Sequence, residues 1–400
     1  MERVVFLVDM NAFFISCEQT RHPEISGKPA AVAGDPENRT GIILTANYEA
    51  RKYGIKTTMT LKEAFKLCTD LIIIPPDHRF YGKKSREVME IFSLYTPLIE
   101  QNSIDEAWLD MTGCEGIFGE PLETARNIME RIDRELGLWC SIGISENKFL
   151  AKMASEMKKP HGITEMWRKD IKEKMWPLPV NYIYGVGKST TSKLQSMGIF
   201  TIMDLALCDS SYLFKKLGKM GTELSLKANG IDTSPVTPNS HSDMKSIGRS
   251  ITLPQDVTDI DFAKTVLLEL SDDVGMSARK HGKKGRTVQI NIKYSDFKSS
   301  TRQTTVPATY LVKDIYSAGV KLLERNWNDK PIRLLGISLS GFDENSGSEQ
   351  LSLFQMSDIG DEKNDNKTDQ LENAIYNIRK KYGNSIIKPG ALMNQDNKKK

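Results

Sequence analysis

The sequence predicts a multidomain α/β protein, and three observations carry that prediction. Strand-like and helix-like segments alternate through the first 166 residues around a central hairpin at 99–111. From 246 to 340 a second run repeats strands and helices in the order βαββαβ. Between the two lies a mostly helical stretch that opens at Trp176-Pro177-Leu178-Pro179. A chain of 400 residues has room for two to four such domains.

Taken in order, Arg3-Val4-Val5-Phe6-Leu7-Val8 reads as a buried strand that ends at once in Asp9. Phe13 and Phe14 start a helix to about Thr20. Residues 30–33 and 41–46 are short strands, 48–53 and 60–68 short helices. Leu71-Ile72-Ile73-Ile74 is a strand stopped by Pro75-Pro76, because proline cannot donate to a ladder. Helices follow at 79–95 and 122–136, then a strand at 140–144 and a helix at 147–157 that stops near Pro160. This order suggests a split βαβ plan. Residues 234–242, with two prolines and small polar residues, read as a linker. Beyond it come strand 246–253, helix 259–281, strand 287–294, strand 301–306, helix 311–326 and strand 332–340. In the strand at 287–294, Val288, Ile290 and Ile292 alternate with polar residues, so one sheet face is buried. The polar stretch 355–370 reads as disordered, and Leu371, Ile375 and Ile378 recur at helical spacing.

Composition narrows the function. Hydrophobic residues make up 39% and charged residues 27%, which fits a soluble globular chain. No apolar run reaches the ~20 residues of a membrane span. The five cysteines are scattered without a CxxC pair, which argues against zinc and against a disulfide framework and points to a reducing cytoplasm. Residues 1–166 carry a net charge of −5, residues 167–241 carry +4, residues 242–342 carry +5 and residues 343–400 carry −1. Acid chemistry beside a grip for a polyanion fits that distribution.

The acids themselves are Asp9 and the adjacent pair Asp105-Glu106, set in an otherwise apolar run. Two charges beside a core cost several kcal/mol unless compensated. Hard oxygen donors without nearby His or Cys favour Mg²⁺ or Mn²⁺ over zinc. The same residues also read as solvated turn acids, since turns favour Asp. Neighbouring strand residues point to opposite faces, so the backbone must bend at Asp105-Glu106 for one of them to face Asp9.

A set of motifs bears on this choice. Val8-Asp9-Met10-Asn11-Ala12-Phe13-Phe14, Thr45-Ala46-Asn47-Tyr48-Glu49-Ala50-Arg51, Ser103-Ile104-Asp105-Glu106-Ala107 and Ser145-Glu146-Asn147-Lys148 with Lys158-Lys159-Pro160-His161-Gly162 stand in one order over residues 1–342. In that order and spacing the chain resembles the Y-family translesion DNA polymerases, in their DNA polymerase IV (DinB) branch. Asn11 departs from the Asp often found there. The resemblance implies a ferredoxin-like palm (1–10 and 76–166), small fingers (11–75), a helical thumb (167–233), the linker, a βαββαβ little finger (243–342) and a flexible tail (343–400).

It also implies roles. Asp9, Asp105 and Glu106 would be catalytic and would hold two Mg²⁺, with Mn²⁺ as a substitute and the Met10 carbonyl as a further contact. Phe13, Phe14, Thr45, Tyr48, Arg51 and Lys159 would bind the nucleotide, with Phe14 as the steric gate against a 2′-OH. Ser103 and Asn147 would shape the hairpin and cap the next helix. Gly185-Val186-Gly187-Lys188 resembles the thumb's helix-hairpin-helix, which contacts the DNA backbone through Gly185, Gly187 and Lys188. Arg249, Lys283, Lys284, Arg286 and Arg302 add basic charge for DNA. Gln350-Leu351-Ser352-Leu353-Phe354 is similar to the peptide that docks on the bacterial sliding clamp, with Gln350, Leu351, Leu353 and Phe354 as contacts. The expected partners are primer–template DNA, dNTPs and the clamp, for a monomer with no membrane attachment. An acid-rich nuclease or cyclase, and a non-catalytic DNA- or clamp-binding protein, are the other classes these residues allow.

Overall fold

The structure is a computed structural model and describes residues 3–35, 39, 41–238, 244–342, 362–383, 386–387 and 389–390, with backbone alone for 362–366. Its strands are β1 (Val5–Met10), β2 (Ala30–Ala33), β3 (Ile43–Ala46), β4 (Ile72–Ile74), β5 (Ile99–Gln101), β6 (Glu106–Asp110), β7 (Cys140–Ser145), β8 (Ile163–Glu165), β9 (Ser246–Val257), β10 (Gly285–Tyr294), β11 (Ser299–Thr309) and β12 (Ile332–Phe342). The chain forms two compact units, the first with β1–β8 and the second with β9–β12.

The larger sheet of the first unit has the order β5-β6-β1-β7-β8. β1 runs antiparallel to both neighbours, while β8 lies parallel to β7. Three-residue β8 is too short to show a period, which is why the sequence did not reveal it. Val4, Phe6, Val8 and Met10 pack with Val88, Ile91 and Phe92 of helix His78–Ser93 and with Ala125, Ile128 and Ile132 of helix Pro121–Leu136. On the opposite face Val5 and Leu7 pack with Trp108, Ala151 and Val236. β1 is therefore buried on both faces, which explains its unbroken apolar run. The smaller sheet, β3-β2-β4, carries helices Tyr48–Lys52 and Leu61–Leu67.

Helix Lys148–Met157 covers the face of β1 that bears Val5 and Leu7. Gly143, opposite Leu7 on β7, makes that close approach possible. A Cβ there would sit 2.0 Å from the Ala151 carbonyl oxygen and 2.5 Å from the Ser155 nitrogen. The stretch read as a linker begins later than the sequence suggested. Val236 is buried beside Val5, Leu7 and Trp108, and the Thr237 N–H donates to Glu100 at 2.8 Å. A single apolar residue in a polar stretch has found the apolar patch that β1 leaves open.

In the second unit the antiparallel order is β11-β10-β12-β9, and helices Ile260–Lys280 and Val312–Asn326 cover one face. The βαββαβ prediction is borne out. Gly248, Ser250, Gln289, Asn291, Gly336 and Ser338 line a shallow polar depression at this sheet. The tail differs from expectation, because helix Glu362–Tyr382 begins inside the stretch read as disordered. Arg279 holds it through Asp369 at 2.7 Å and Glu372 at 2.9 Å, and Arg379 reaches back to Asp272 at 2.7 Å. Ion pairs to another helix leave no hydrophobic period, so the sequence showed only the apolar part from Leu371 onward.

Gly143→Ala should lower the unfolding free energy of the first unit by about 3 kcal/mol, because backbone rather than a flexible side chain has to move. Urea unfolding followed by tryptophan fluorescence measures this, and an unchanged midpoint would refute the close packing.

Candidate active site

The register of β1 and β6 sets Asp9 directly opposite Glu106. Facing residues on antiparallel strands share one side of the sheet, with Cβ atoms about 5 Å apart. Here that side is the one covered by helix Lys148–Met157, and both acids are buried, at 8% and 9% exposure. The helix supplies the compensating charge. Lys152 Nζ lies 3.0 Å from Asp9 Oδ2, 2.6 Å from Glu106 Oε2 and 2.8 Å from Glu156 Oε1. Lys159 Nζ lies 2.9 Å from both Asp9 Oδ1 and Glu156 Oε1. Burial works against both ammonium groups, but the field of Asp9 outweighs it with help from neighbouring carboxylates, and both pKa values are raised.

Asp105 sits in the turn one residue before β6. Its carbonyl accepts from the Met10 N–H at 2.9 Å, and its carboxylate accepts from Ser103 Oγ at 2.5 Å. The hairpin thus bends where expected, and one acid of the pair, Glu106, faces Asp9. Among the described residues no three acids gather as a ready metal cluster. The Asn102 amide donates to Glu106 Oε1, so both oxygens of that carboxylate are held.

The nucleotide residues expected from the sequence part company. The Phe13 ring is buried at 3% exposure in the core with Phe6 and Met10, which leaves only the backbone of this residue to meet a nucleotide. The first turn of helix Phe13–Arg21 projects its side chains in different directions, and this one falls on the core side. Phe14 is half-buried and stacks on Tyr81 with ring centroids 4.5 Å apart. The Tyr81 hydroxyl donates to the fully buried Glu18 at 2.6 Å, and Arg21 pairs with Glu18 at 2.9 Å.

Tyr48 and Arg51 do share a face, with the guanidinium 4.8 Å above the Tyr48 ring. Asn47, nearly fully buried, caps their helix by accepting from the Ala50 N–H at 2.9 Å, and it ties that helix to the Ala30 N–H at 3.0 Å. The Tyr48 hydroxyl is buried without a hydrogen-bond partner. Burial raises its pKa, while Arg51 and Lys159 pull the other way, so its environment includes the site's cations. Thr45 lies half-buried on β3, ahead of Tyr48.

Asn11 ties the Lys159 loop to the sheet. Its Oδ1 accepts from the His161 N–H at 3.0 Å, and its Nδ2 donates to Ser141 Oγ at 3.0 Å. Lys152, Glu156 and Asn11 are the residues that sequence reasoning missed. A signal for two of them existed: Lys148, Lys152 and Glu156 recur every four residues on one predicted helix face. Asn147 caps that helix as expected, accepting from the Leu150 N–H at 2.9 Å.

Of the residues expected at DNA, Gly185 has φ +95° and, like Gly187, open space around it, and Lys188 opens helix Lys188–Ser196. The helix start has no side-chain cap, so its N–H groups are available. Arg249 and Arg302 are both exposed. They pair in register with the buried Ile337 and Ile290, which puts them on the helix side of the sheet, and Arg302 Nε donates to Asn326 at 3.1 Å. Lys283 and Lys284 follow helix Ile260–Lys280, and Arg286 lies on β10. Gln350, Leu351, Leu353 and Phe354 lie outside the described residues.

Known proteins share this arrangement of a palm-like sheet, helix-hairpin-helix and βαββαβ unit. The impB/mucB/samB family matches residues 8–156, its HHH motif residues 168–199 and its C-terminal domain residues 244–353. The chain belongs to this family of Y-family DNA polymerases, on its DNA polymerase IV branch, and is a DNA-directed DNA polymerase. A DNA polymerase IV of Clostridium kluyveri is 67% identical over 98% of this chain and 99% of its own. One of Alkaliphilus oremlandii is 55% identical over 98% and 100%, and DNA polymerase IV 1 of Bacillus subtilis 39% identical over 99% and 95%. A solved Y-family DNA polymerase chimera superposes with a TM-score of 0.77 at 26% identity, covering 85% of this chain and 99% of that one.

Tyr81→Phe keeps the ring under Phe14 and should cost about 1 kcal/mol for the lost hydrogen bond. Tyr81→Ala removes the ring and should cost about 4 kcal/mol. Denaturant unfolding of the two variants checks this ordering, which equal losses would contradict.

Proposed function

We propose that the chain adds deoxynucleotides to a primer 3′ end by a two-metal-ion mechanism, tolerates damaged templates, and is recruited by the sliding clamp. The observation that carries the reading is the in-register opposition of two buried carboxylates, Asp9 and Glu106, answered by the ammonium groups of Lys152 and Lys159. Their donor set is all hard oxygen, and the charge they hold is the charge a divalent cation would answer. Asp9, Asp105 and Glu106 would hold the ions, with the Met10 carbonyl beside them. Bound there, Mg²⁺ supplies Lewis-acid stabilisation of the attacking and leaving oxygens.

The chain's own residues do the rest. The uncapped start of helix Phe13–Arg21 follows Asp9 by three residues and offers free N–H groups for phosphate oxygens. Tyr48, whose hydroxyl is orphaned, would donate to a triphosphate oxygen. Arg51 and Lys159 would add charge where the pyrophosphate leaves. Phe14, backed by the Tyr81 ring, would exclude a 2′-OH from the sugar of the incoming nucleotide. No protein nucleophile is needed, because the primer hydroxyl attacks the α-phosphate.

The thumb glycines and the basic second unit would grip the DNA backbone without reading sequence. Palm (1–10 and 76–166), fingers (11–75), thumb (167–233) and little finger (243–342) would divide this work among them, and the anchoring of Val236 and Thr237 would leave a shorter linker than 234–242. Residues 350–354 would tether the enzyme to the clamp and raise its local concentration at the primer end. Among the described residues no helix is long and apolar enough to cross a membrane, and all five thiols are free, in keeping with work in the reducing cytoplasm.

Asp9→Asn, Asp105→Asn and Glu106→Gln should each cut primer extension in Mg²⁺ by ~100-fold or more while sparing DNA binding. Extension by the Asp105→Ala/Glu106→Ala protein would overturn the reading. Phe14→Ala should increase ribonucleotide insertion relative to deoxynucleotide insertion, measured in single-turnover assays. Deleting 350–354 should leave distributive extension intact and abolish its stimulation by the clamp.

A further inference from the structure

The Lys152 ammonium lies between Asp9 and Glu106, within hydrogen-bond distance of both. We propose that Lys152 is a built-in counter-ion that holds these two carboxylates in place before metal arrives and yields its position to the cation by moving onto Glu156. The proposal rests on Asp9 and Glu106 being metal ligands, and it adds a competition that the two-metal reading does not contain.

Three observations support it. The lysine is out of place as an ordinary surface charge: its side chain is 8% exposed on a helix that packs against the sheet. Its ammonium is enclosed by carboxylate oxygens, with Asp9, Glu106 and Glu156 all within 3.0 Å. The third contact differs from the first two. Glu156 is four residues further along the same helix, 2.8 Å away, and 50% exposed, so it faces the way out. The ammonium already touches Glu156, so giving up the first two contacts while keeping the third asks for side-chain motion alone. The Tyr184 ring, 5.7 Å from Nζ, offers a second surface for the displaced charge.

The competition has a defined direction. Without metal, the Lys152 charge offsets the repulsion between two buried carboxylates, so removing it destabilises the apo fold. With metal, the same charge opposes binding, so removing it favours the ion. Glu156 acts with the opposite sign, because taking away the alternative acceptor leaves Lys152 on Asp9 and Glu106. Lys152 is thus a positioning residue, acting through the carboxylates.

Mn²⁺ binding to the full chain without DNA or dNTP tests this, read by electron paramagnetic resonance of free Mn²⁺ and by thermal unfolding across a Mn²⁺ titration. Lys152→Met should lower the Mn²⁺ dissociation constant by roughly tenfold, and lower the metal-free melting temperature while enlarging the rise that Mn²⁺ produces. Glu156→Gln, at an exposed position that preserves folding, should weaken Mn²⁺ binding in the wild-type background and have a smaller effect in the Lys152→Met background, where Lys159 alone still shares Asp9 with Glu156. Unchanged or weaker Mn²⁺ binding by Lys152→Met, or a Glu156→Gln effect that is undiminished without Lys152, overturns the proposal. Asp9→Asn separates the two levels: if it leaves Mn²⁺ binding intact, the metal site itself is misplaced. If it abolishes binding while Lys152→Met changes nothing, only the counter-ion role fails.

Discussion

Two carboxylates face each other at the end of a strand that is buried on both sides, and much of the first unit serves to make that arrangement tolerable. Asp9 and Glu106 are fixed by backbone register, not by side-chain choice, so they cannot avoid one another without breaking the ladder. Like charges about 4 Å apart repel by roughly 4 kcal/mol at an effective dielectric of 20. Lys152 and Lys159 answer that repulsion directly. Their delivery depends on packing: helix Lys148–Met157 reaches the acids because Gly143 lets its backbone lie on β7. A buried cation left without its acids would be as costly as the acids left without it.

The same logic of anchoring repeats outward from the acids. Asn11 fixes the loop of Lys159 through the His161 N–H, and Asn47 fixes the helix of Tyr48 and Arg51 to β2. Glu18 and Arg21 hold Tyr81, which in turn backs Phe14. In each case a polar group whose hydrogen bonds are satisfied sets the position of a neighbour that lies closer to the acids or the helix they anchor. Tyr48 is the exception that marks the site, a buried hydroxyl with nothing to bond.

Charge is placed differently in the second unit. Arg279 and Arg379 are nearly buried in ion pairs that join helix Ile260–Lys280 to helix Glu362–Tyr382. They stabilise an interhelical contact, so part of the basic excess counted in the sequence never faces a partner. Arg249 and Arg302 are exposed but pair with residues buried on the helix side of the sheet, and Arg249 is the one charged residue among those that line the shallow depression with Ser250, Asn291 and Gly336. A net charge of +5 is thus a poor guide to which surface carries it.

By itself the sequence determined the alternation of elements and the βαββαβ unit, required a bend at Asp105-Glu106 for one of these acids to face Asp9, and, through motifs that resemble those of a known family, singled out Asp9, Tyr48, Arg51 and Lys159 as candidates. These are local or periodic properties, written in apolar spacing, prolines and short motifs. Only the tertiary structure decided which acid faces Asp9, because pairing register joins residues 97 positions apart. It alone put Lys152 between the two acids, buried the Phe13 ring, laid Val236 against β1 and folded the polar start of the last helix onto Arg279. Each of those outcomes depends on contacts distant in sequence, and a charged side chain shows its partner only when the fold has brought the partner to it.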